Sequence, residues 1–287
     1  MSGNALGAAL MVASMACFTL NDAMLKLTAG AVPLFQLLVV RGVITTGLIL
    51  GARGRLGAIH ANIRRRDWVL IILRSLTEVL IAYYFLTALF RMPLANLTAI
   101  LQVVPLAVTL ASALFLRERV GWRRILAILI GFFGVLLIIR PGADGFNIWS
   151  LYALVAVLGV TARDLLTRQL SADVPAMTVT LVTALTVTLA AGLASLSTSW
   201  VPIAPLTGVL IALSAMSILG GYYFSIQVMR VGDVSFVAPF RYTGLVWALL
   251  LGWFIFGEWP DPTTQIGALI VVGMGVFTFY REHQSRV

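Results

Sequence analysis

Ionisable side chains interrupt long apolar stretches of this sequence. Arg74 and Glu78 are four residues apart, which places them on one face of a helix. Arg41 and Arg241 each lie eight residues into an apolar stretch, with no opposite charge three or four residues away. A guanidinium pairs in a two-pronged way with a carboxylate, and an ionised group inside a bilayer usually faces a partner or a cavity. Such residues suit either structural ion pairs or the binding of a charged solute. For Arg74 the structural ion pair is the preferred interpretation.

The stretches that carry these residues are long enough to cross a membrane. The chain is 60% hydrophobic and 11% charged, with a mean hydropathy of +1.00. Apolar runs of about 18–25 residues can span a bilayer as helices, which satisfy their own backbone hydrogen bonds. We predict an all-α polytopic membrane protein with ten transmembrane helices: Asn4–Leu25, Pro33–Gly51, Asp67–Phe90, Pro93–Leu116, Trp122–Ile139, Phe146–Thr167, Val174–Ser195, Pro205–Met229, Asp233–Gly257 and Pro262–Tyr280.

The basic residues predict the orientation of the helices. With ten spans and an inside N-terminus, thirteen of the 20 Lys and Arg residues fall in inside segments. Only Lys26, Arg91 and Arg140 fall in outside segments. Basic residues accumulate on the cytoplasmic side, so both termini are predicted to be cytoplasmic. The net charge of +9 then reflects topology and contact with anionic lipid, and no nucleic-acid partner is expected.

The sequence repeats itself weakly. Tyr83–Arg91 and Tyr222–Arg230 share Tyr-Tyr-Phe and an arginine at identical spacing. Glu118 ends the fourth predicted helix as Glu258 ends the ninth. The order of these matches indicates an internal duplication.

The duplication divides the chain into a first repeat, residues 1–142, and a second repeat, residues 143–287. Each repeat holds five predicted helices, and because five is odd the second must cross the membrane inverted. Inverted repeats are typical of secondary transporters, which bind substrate near the midplane and alternate its access between the two sides.

The sequence resembles the EamA-type drug/metabolite transporters. The motifs that carry the resemblance are Arg74-Ser75-Leu76, Tyr84–Leu89, Met92–Ala95, Pro105 placed 13 residues before Glu118-Arg119, and Gly131–Val135 leading to Arg140-Pro141-Gly142. The second half departs from the pattern at Leu245 and Trp259. The resemblance implies ten helices, cytoplasmic termini and movement of small metabolites or amino acids, commonly outward.

Polar and aromatic residues deep in the spans are the candidate substrate-binding residues. They are Asn21, Arg41, Glu78, Tyr84, Gln102, Tyr223, Gln227, Arg241 and Tyr242. Glu78 is also the candidate proton site, because its carboxylate lies deep within the third predicted helix. Pro105 is a candidate hinge, since proline loosens a helix. Plain helix packing is the alternative interpretation of this set.

Other charged residues have simpler interpretations. Asp22 lies four residues before Lys26, which predicts a local ion pair. Arg163 and Asp164 lie near the end of the sixth span, where long side chains reach the headgroups. Arg41 has Asp22 or Glu78 as alternative partners on other helices.

The sequence lacks the residues that several other classes of function require. The two histidines, His60 and His283, lie outside the spans, and the sequence has no His-Glu-x-x-His motif. Cys17 is the single cysteine, and Lys26, the single lysine, has no glycine-rich phosphate loop before it. We therefore predict no enzyme, no metal and no cofactor. A channel would show a filter motif or a ring of like charges, so it ranks below a carrier.

These observations predict a secondary transporter in a bacterial cytoplasmic membrane, with a monomer preferred to a dimer. The preferred substrates are amino acids, aromatic or bulky and apolar, moved outward. Arginine would hold the carboxylate. The alternatives are a proton-coupled exporter of lipophilic cations or drugs, which would use Glu78, and a carrier of nucleotide-sugar-like metabolites.

Overall fold

A computed structural model shows ten apolar helices of membrane-spanning length. It describes residues 3–51, 59–60, 62–117, 121–141, 147–171, 173–231 and 234–284. The helices are α1 (Gly3–Leu27), α2 (Leu34–Gly51), α3 (Arg65–Arg91), α4 (Leu94–Phe115), α5 (Trp122–Ile139), α6 (Trp149–Arg168), α7 (Ala176–Ser195), α8 (Pro205–Val231), α9 (Ala238–Phe256) and α10 (Pro262–Gln284). No strand occurs in these ranges. The predicted all-α polytopic fold is confirmed, and α5 has the predicted bounds.

Some residues used in the sequence analysis lie outside the described residues: Glu118, Arg119, Gly142, Phe146 and Asp233, together with Arg53, Arg55 and Arg286, which were counted among the basic residues of the inside segments.

Two of the ten helices are irregular, at equivalent positions in the two halves. α4 consists of Leu94–Leu101 and Val104–Phe115, because Pro105 has no N–H to donate and its ring clashes with the carbonyl four residues earlier. α9 follows a single turn at Val234–Val237 and begins as a 3-10 helix, Ala238–Tyr242. The discontinuity beside Pro105 is where a hinge was predicted, and motion at that point stays a prediction.

The packing of the helices is symmetric with respect to the two halves of the chain. The most extensive packing joins α1 to α8, α3 to α6 and α5 to α10. Helices α1 to α5 of the first half correspond in order to α6 to α10 of the second half. The α1–α8 pair then corresponds to the α6–α3 pair, and each of the pairs α2–α7, α4–α9 and α5–α10 corresponds to itself. The division near residue 142 and the inversion of the second half both stay predictions, and a pairing symmetry of this kind is what they would produce.

Contacts between helix ends show that successive helices run in opposite directions. At one end of the bundle, the Lys26 end, the C-terminus of α1 meets that of α9 and the N-terminus of α4 through Lys26, Glu258 and Leu94. At the other, the Asp67 end, Asp67 at the start of α3 accepts hydrogen bonds from Ser171 after α6. C-termini of odd helices and N-termini of even helices therefore share the Lys26 end. Which end faces the cytoplasm stays a prediction.

Glycines allow α5 and α10 to approach closely. A Cβ atom at Gly134 of α5 would lie 2.8 Å from the carbonyl oxygen of Gly267 in α10. Gly131, Gly134, Gly267 and Gly275 thus pack closely against other atoms inside the bundle, whereas Gly273 has open space beside it. Large apolar side chains cover the outer surface, including Phe254 and Leu269, each 73% exposed. Such a surface requires hydrocarbon around it.

Candidate functional site

A cavity of ≈ 680 Å³ that contains charged side chains lies between α2, α3, α7 and α8. We call it the central cavity. Its lining carries three charged groups, from Arg41, Arg74 and Glu78, and hydroxyls from threonine and Tyr222. The full lining is Leu38, Arg41, Gly42, Thr45, Arg74, Glu78, Ala82, Thr180, Thr183, Ala184, Val187, Ile218 and Tyr222. The structure thus brings together two of the predicted binding residues, Arg41 and Glu78.

Arg41 extends from α2 into the central cavity, and one of its hydrogen-bond donors is unused. Its Nη2 donates to Asn21 Oδ1 at 2.8 Å, and Asn21 Nδ2 donates to Asp22 Oδ1 at 2.8 Å. Its Nε is buried and has no hydrogen-bond partner in the part of the chain that the structure describes. An amide, rather than either predicted carboxylate, is therefore the direct partner of Arg41. A buried donor left without a partner costs free energy, so a ligand acceptor would be favoured there.

Arg74 bonds to hydroxyl groups. Nη1 donates to Thr183 Oγ1 at 2.7 Å and Nε donates to Thr167 Oγ1 at 3.0 Å. Among the described residues no ion pair joins Arg74 to Glu78, so the local pair favoured from their spacing is wrong. Adjacent positions on one helix face permit a pair, but Thr183 of α7 competes for the guanidinium across the cavity.

Glu78 is paired with a residue of another helix. Its Oε2 lies 3.4 Å from Arg163 Nη1, and Arg163 Nη2 lies 2.9 Å from Asp164 Oδ1. The Arg163 side chain is only 22% exposed. The prediction that Arg163 and Asp164 extend to the headgroups is therefore wrong, because Arg163 lies between two carboxylates inside the bundle.

The charges of the central cavity are unequally paired. Glu78 has a guanidinium partner, whereas Arg41 and Arg74 make their described hydrogen bonds to neutral groups. The guanidinium groups of Arg41 on α2 and Arg74 on α3 therefore line the cavity with neutral hydrogen-bond partners. Charge-assisted bonds from guanidinium to carboxylate or phosphate are short and strong, so the arrangement can hold the anionic group of a small solute.

Six of the predicted binding residues lie elsewhere. Arg241 is exposed, and Tyr242 packs against the ring of Phe279. Gln102 donates to the carbonyl oxygen of Tyr242 at 3.5 Å. These three residues belong to the contact of α4 with α9, away from the central cavity, so Arg41 and Arg241 do not form a common clamp.

The remaining three predicted residues lie on α3 and α8 but outside the cavity lining. Tyr84 packs in a ring cluster with Tyr83 and Tyr152. Tyr223 is 39% exposed, and Gln227 is partly buried. Asn21, the ninth residue of the predicted set, is buried and accepts a hydrogen bond from Arg41.

Sequence reasoning missed Thr180, Thr183 and Tyr222 as lining residues. Thr180, Thr183 and Val187 lie on one helix face at spacings of three and four, a signal that a search for hydroxyl stripes would have found. The prediction chose Tyr223 instead of its neighbour Tyr222. Because successive side chains on a helix differ in direction by about 100°, only Tyr222 of the two lines the cavity.

Lys26 also has a different partner from the predicted one. Its Nζ lies 2.6 Å from Glu258 Oε1, and Glu258 Oε2 accepts from the backbone N–H of Leu94 at 3.1 Å. The predicted local pair of Lys26 with Asp22 is therefore wrong, and the contact instead ties α1 to α9 across the Lys26 end.

A second cavity, of ≈ 550 Å³, opens between α4, α9 and α10. We call it the lateral cavity. It is lined by Ala95, Ala99, Leu245, Leu249, Trp259, Pro260, Thr264, Gln265, Ala268 and Leu269. No charged side chain lines it in the described part of the chain.

Ten membrane-length helices around a charged cavity define a polytopic membrane protein of the transporter class. The chain belongs to the EamA-like transporter family, whose model matches residues 5–140 and again residues 147–280. The predicted family is thereby confirmed.

Similar proteins are named as transporters, not as enzymes. The chain is 32% identical to a riboflavin transporter of Vibrio cholerae over 79% of this chain and 77% of that protein. It is 26% identical to the pseudopaline exporter CntI of Pseudomonas aeruginosa over 93% of each. It is 26% identical to an S-adenosylmethionine uptake transporter of Rickettsia bellii over 67% of this chain and 66% of that protein.

A solved crystal structure has the same fold, with a TM-score of 0.69 over 99% of this chain and 100% of that one at 18% identity. The chain is a small-molecule transporter.

Proposed function

We propose that the chain is a secondary carrier for small organic metabolites that bear a carboxylate, with amino acids as the preferred class. One observation carries the proposal: Arg41 and Arg74 both line the central cavity, and their described hydrogen bonds go to neutral groups. A substrate carboxylate would accept from these guanidinium groups. Glu78, across the same cavity, would meet the substrate ammonium.

The relatives narrow the class of protein but not the substrate. Their named substrates are riboflavin, pseudopaline and S-adenosylmethionine, and they include both an exporter and uptake transporters. The substrate class proposed for this chain therefore rests on its own cavity. Outward transport across a bacterial cytoplasmic membrane is part of the proposal, with the Lys26 end outside and both termini inside.

Energy coupling follows from the surroundings of Glu78. Because Glu78 is already paired with Arg163 of α6, we propose that the carrier runs down the substrate gradient without a proton. The preferred result is efflux that continues unchanged when the pH gradient is collapsed. Efflux that stops with the gradient and becomes independent of it in Glu78→Gln would instead make Glu78 the proton site.

A second candidate substrate is a nucleotide-sugar-like metabolite, because two guanidinium groups suit a diphosphate as well as a carboxylate. An exporter of lipophilic cations would use Glu78, but such a substrate would meet both arginines in the same cavity.

The test is efflux from liposomes that contain the purified protein and a mixture of amino acids, nucleotide sugars and lipophilic cations, followed by mass spectrometry. Arg41→Gln and Arg74→Gln should each slow efflux of the transported solute about 30-fold or more, since truncating one partner of a buried charge pair costs about 2–5 kcal/mol. Arg241→Gln is the matched control, because Arg241 is exposed and outside the cavity.

Normal efflux by properly inserted Arg41→Gln and Arg74→Gln would refute the carboxylate site. Selective efflux of the cations alone would move the assignment to the drug-exporter alternative.

A further inference from the structure

A third cavity, of ≈ 350 Å³, lies at the Lys26 end of the bundle. We call it the end cavity. It is lined by Met92, Asn96, Ile138, Ile139, Arg140, Asn147, Ser150, Asp261 and Thr264. It shares no lining residue with the central cavity. Along α3 and its C-cap, Ala82 lines the central cavity and Met92 the end cavity. The ten intervening steps of helix correspond to about 15 Å.

Most polar groups of the end cavity are already satisfied. Asn147 Oδ1 accepts from the backbone N–H of Trp149 at 3.0 Å. Asp261 accepts from the backbone N–H and the hydroxyl of Thr264 at 3.0 and 3.1 Å, and it also pairs with Arg140 Nη2. These contacts hold Arg140 and the start of α10 in place before any ligand arrives.

Two buried atoms of the same cavity have no partner among the described residues: Arg140 Nε, a donor, and Asn96 Oδ1, an acceptor. Buried polar atoms in proteins are nearly always hydrogen-bonded, and an exception calls for a ligand or water. One unused donor and one unused acceptor complement a solute that carries both an acceptor and a donor.

The backbone of Arg140 adds an independent observation. Arg140 ends α5 with φ of 51°, a left-handed conformation that glycine adopts at helix ends without strain. A larger residue in that conformation is strained, and such strain concentrates at functional sites. Its placement aims the guanidinium at Asp261 and at the cavity.

We propose that the end cavity is a second solute site, in which Arg140 Nε donates to the carboxylate of an amino acid and Asn96 Oδ1 accepts from its ammonium. The choice of solute class rests on the proposed function, since the same carrier would pass its substrate through this end. Water is the competing occupant.

The test measures occupancy at the end cavity itself. In a Cys17→Ser background, Ser150→Cys places one thiol in the cavity lining, and its rate of modification by a charged methanethiosulfonate reagent is followed in the full-length protein in liposomes. L-phenylalanine should slow modification at least fivefold at saturation. 3-Phenylpropionate, which lacks the ammonium, and phenethylamine, which lacks the carboxylate, should each protect less.

Variants assign the protection to the two unpartnered atoms. Arg140→Gln and Asn96→Leu should abolish it. Arg140→Lys keeps a cation beside Asp261 but removes the Nε donor, so it should also weaken protection if Arg140→Gln fails to fold. Arg91→Gln is the matched control, because Arg91 is an exposed cation at the same end that lies over the Trp149 ring.

Failure of this proposal is distinguishable from failure of the proposed function. Arg41→Gln should lose transport and keep the protection. Absence of protection in a protein that transports phenylalanine would overturn the second site alone. Protection that survives Arg140→Gln but disappears in Arg41→Gln would overturn it too, because the effect would then come from the central cavity. Protection without any amino-acid transport would support the second site and refute the proposed substrate class.

Discussion

The central and lateral cavities are of comparable size, ≈ 680 and ≈ 550 Å³, and differ in chemistry. The central cavity lies between α2, α3, α7 and α8 and contains two arginines and a glutamate. The lateral cavity lies between α4, α9 and α10 and is lined mainly by alanine, leucine and tryptophan. Both are built from helices of both halves, so the internal repeat alone does not decide where charges collect.

The comparison separates two uses of the same fold. Intramembrane charges are retained where they face a cavity or one another, and here Arg41, Arg74, Glu78 and Arg163 do so from α2, α3 and α6. The side formed by α4, α5, α9 and α10 packs through small residues and apolar side chains. We therefore expect a polar substitution to impair folding on the apolar side and transport on the charged side.

The largest contrast should come from one carboxylate placed in each cavity. Ala99→Asp buries a charge in the lateral cavity, where Ala99 is 1% exposed, and an unpaired carboxylate in a bilayer costs about 2.5–3.5 kcal/mol. Thr183→Asp places the carboxylate beside Arg74, which now donates to Thr183. We expect Ala99→Asp to lose most folded protein, and Thr183→Asp to fold but lose transport because the guanidinium is occupied.

The readout is the monodisperse fraction in detergent together with liposome efflux. Equal loss of folded protein in Ala99→Asp and Thr183→Asp would show that the two cavities do not differ in the way proposed.

A smaller loss should follow removal of the cation that pairs with Glu78. Arg163→Gln leaves Glu78 and Asp164 without the guanidinium that joins them. Breaking a fully buried pair costs about 3–5 kcal/mol, and because these side chains are 20–28% exposed we expect about 2 kcal/mol. The apparent midpoint of thermal unfolding in detergent should fall, and fall less in Arg163→Lys.

Arg91→Gln is the reference for loss of a single exposed cation. A midpoint for Arg163→Gln no lower than that of Arg91→Gln would mean that the ion pairs beside the central cavity contribute little.

Packing on the apolar side should be sensitive to a single methyl group. Gly134→Ala would place a Cβ atom 2.8 Å from the Gly267 carbonyl oxygen, and overpacking costs about 1–3 kcal/mol. We expect about 1 kcal/mol of destabilisation, measured as a lower unfolding midpoint. Gly273→Ala, in the same helix pair but with open space, should be neutral or slightly stabilising, since alanine favours helix.

The smallest effect concerns a hydroxyl on the apolar side. Tyr242 Oη is buried and has no hydrogen-bond partner in the described ranges. Tyr242→Phe should therefore change the unfolding midpoint little and in the stabilising direction, by under about 1 kcal/mol, with efflux unaltered. A clear loss of efflux in Tyr242→Phe would assign α9 a role in substrate binding and weaken the contrast between the sides.

Prediction from sequence succeeded for helices and failed for partners. Pro93 and Gly257 mark helix ends, and the apolar runs between such residues gave bounds close to those observed. Lys26, Arg74 and Arg163 were each assigned a neighbour in the chain or the headgroups, and each instead meets a residue at least 85 positions away. Local spacing shows which side chains share a face, but it contains no information about the helix opposite.

The sequence alone determined that this protein is a ten-helix membrane protein of the EamA-like family, because hydrocarbon requires long apolar helices and the duplication is visible in the order of residues. Tertiary structure decided which polar residues meet. Arg41 and Glu78 face one cavity while Arg241 and Tyr242 do not, since the rotation of each helix about its axis follows from packing against partners distant in the chain.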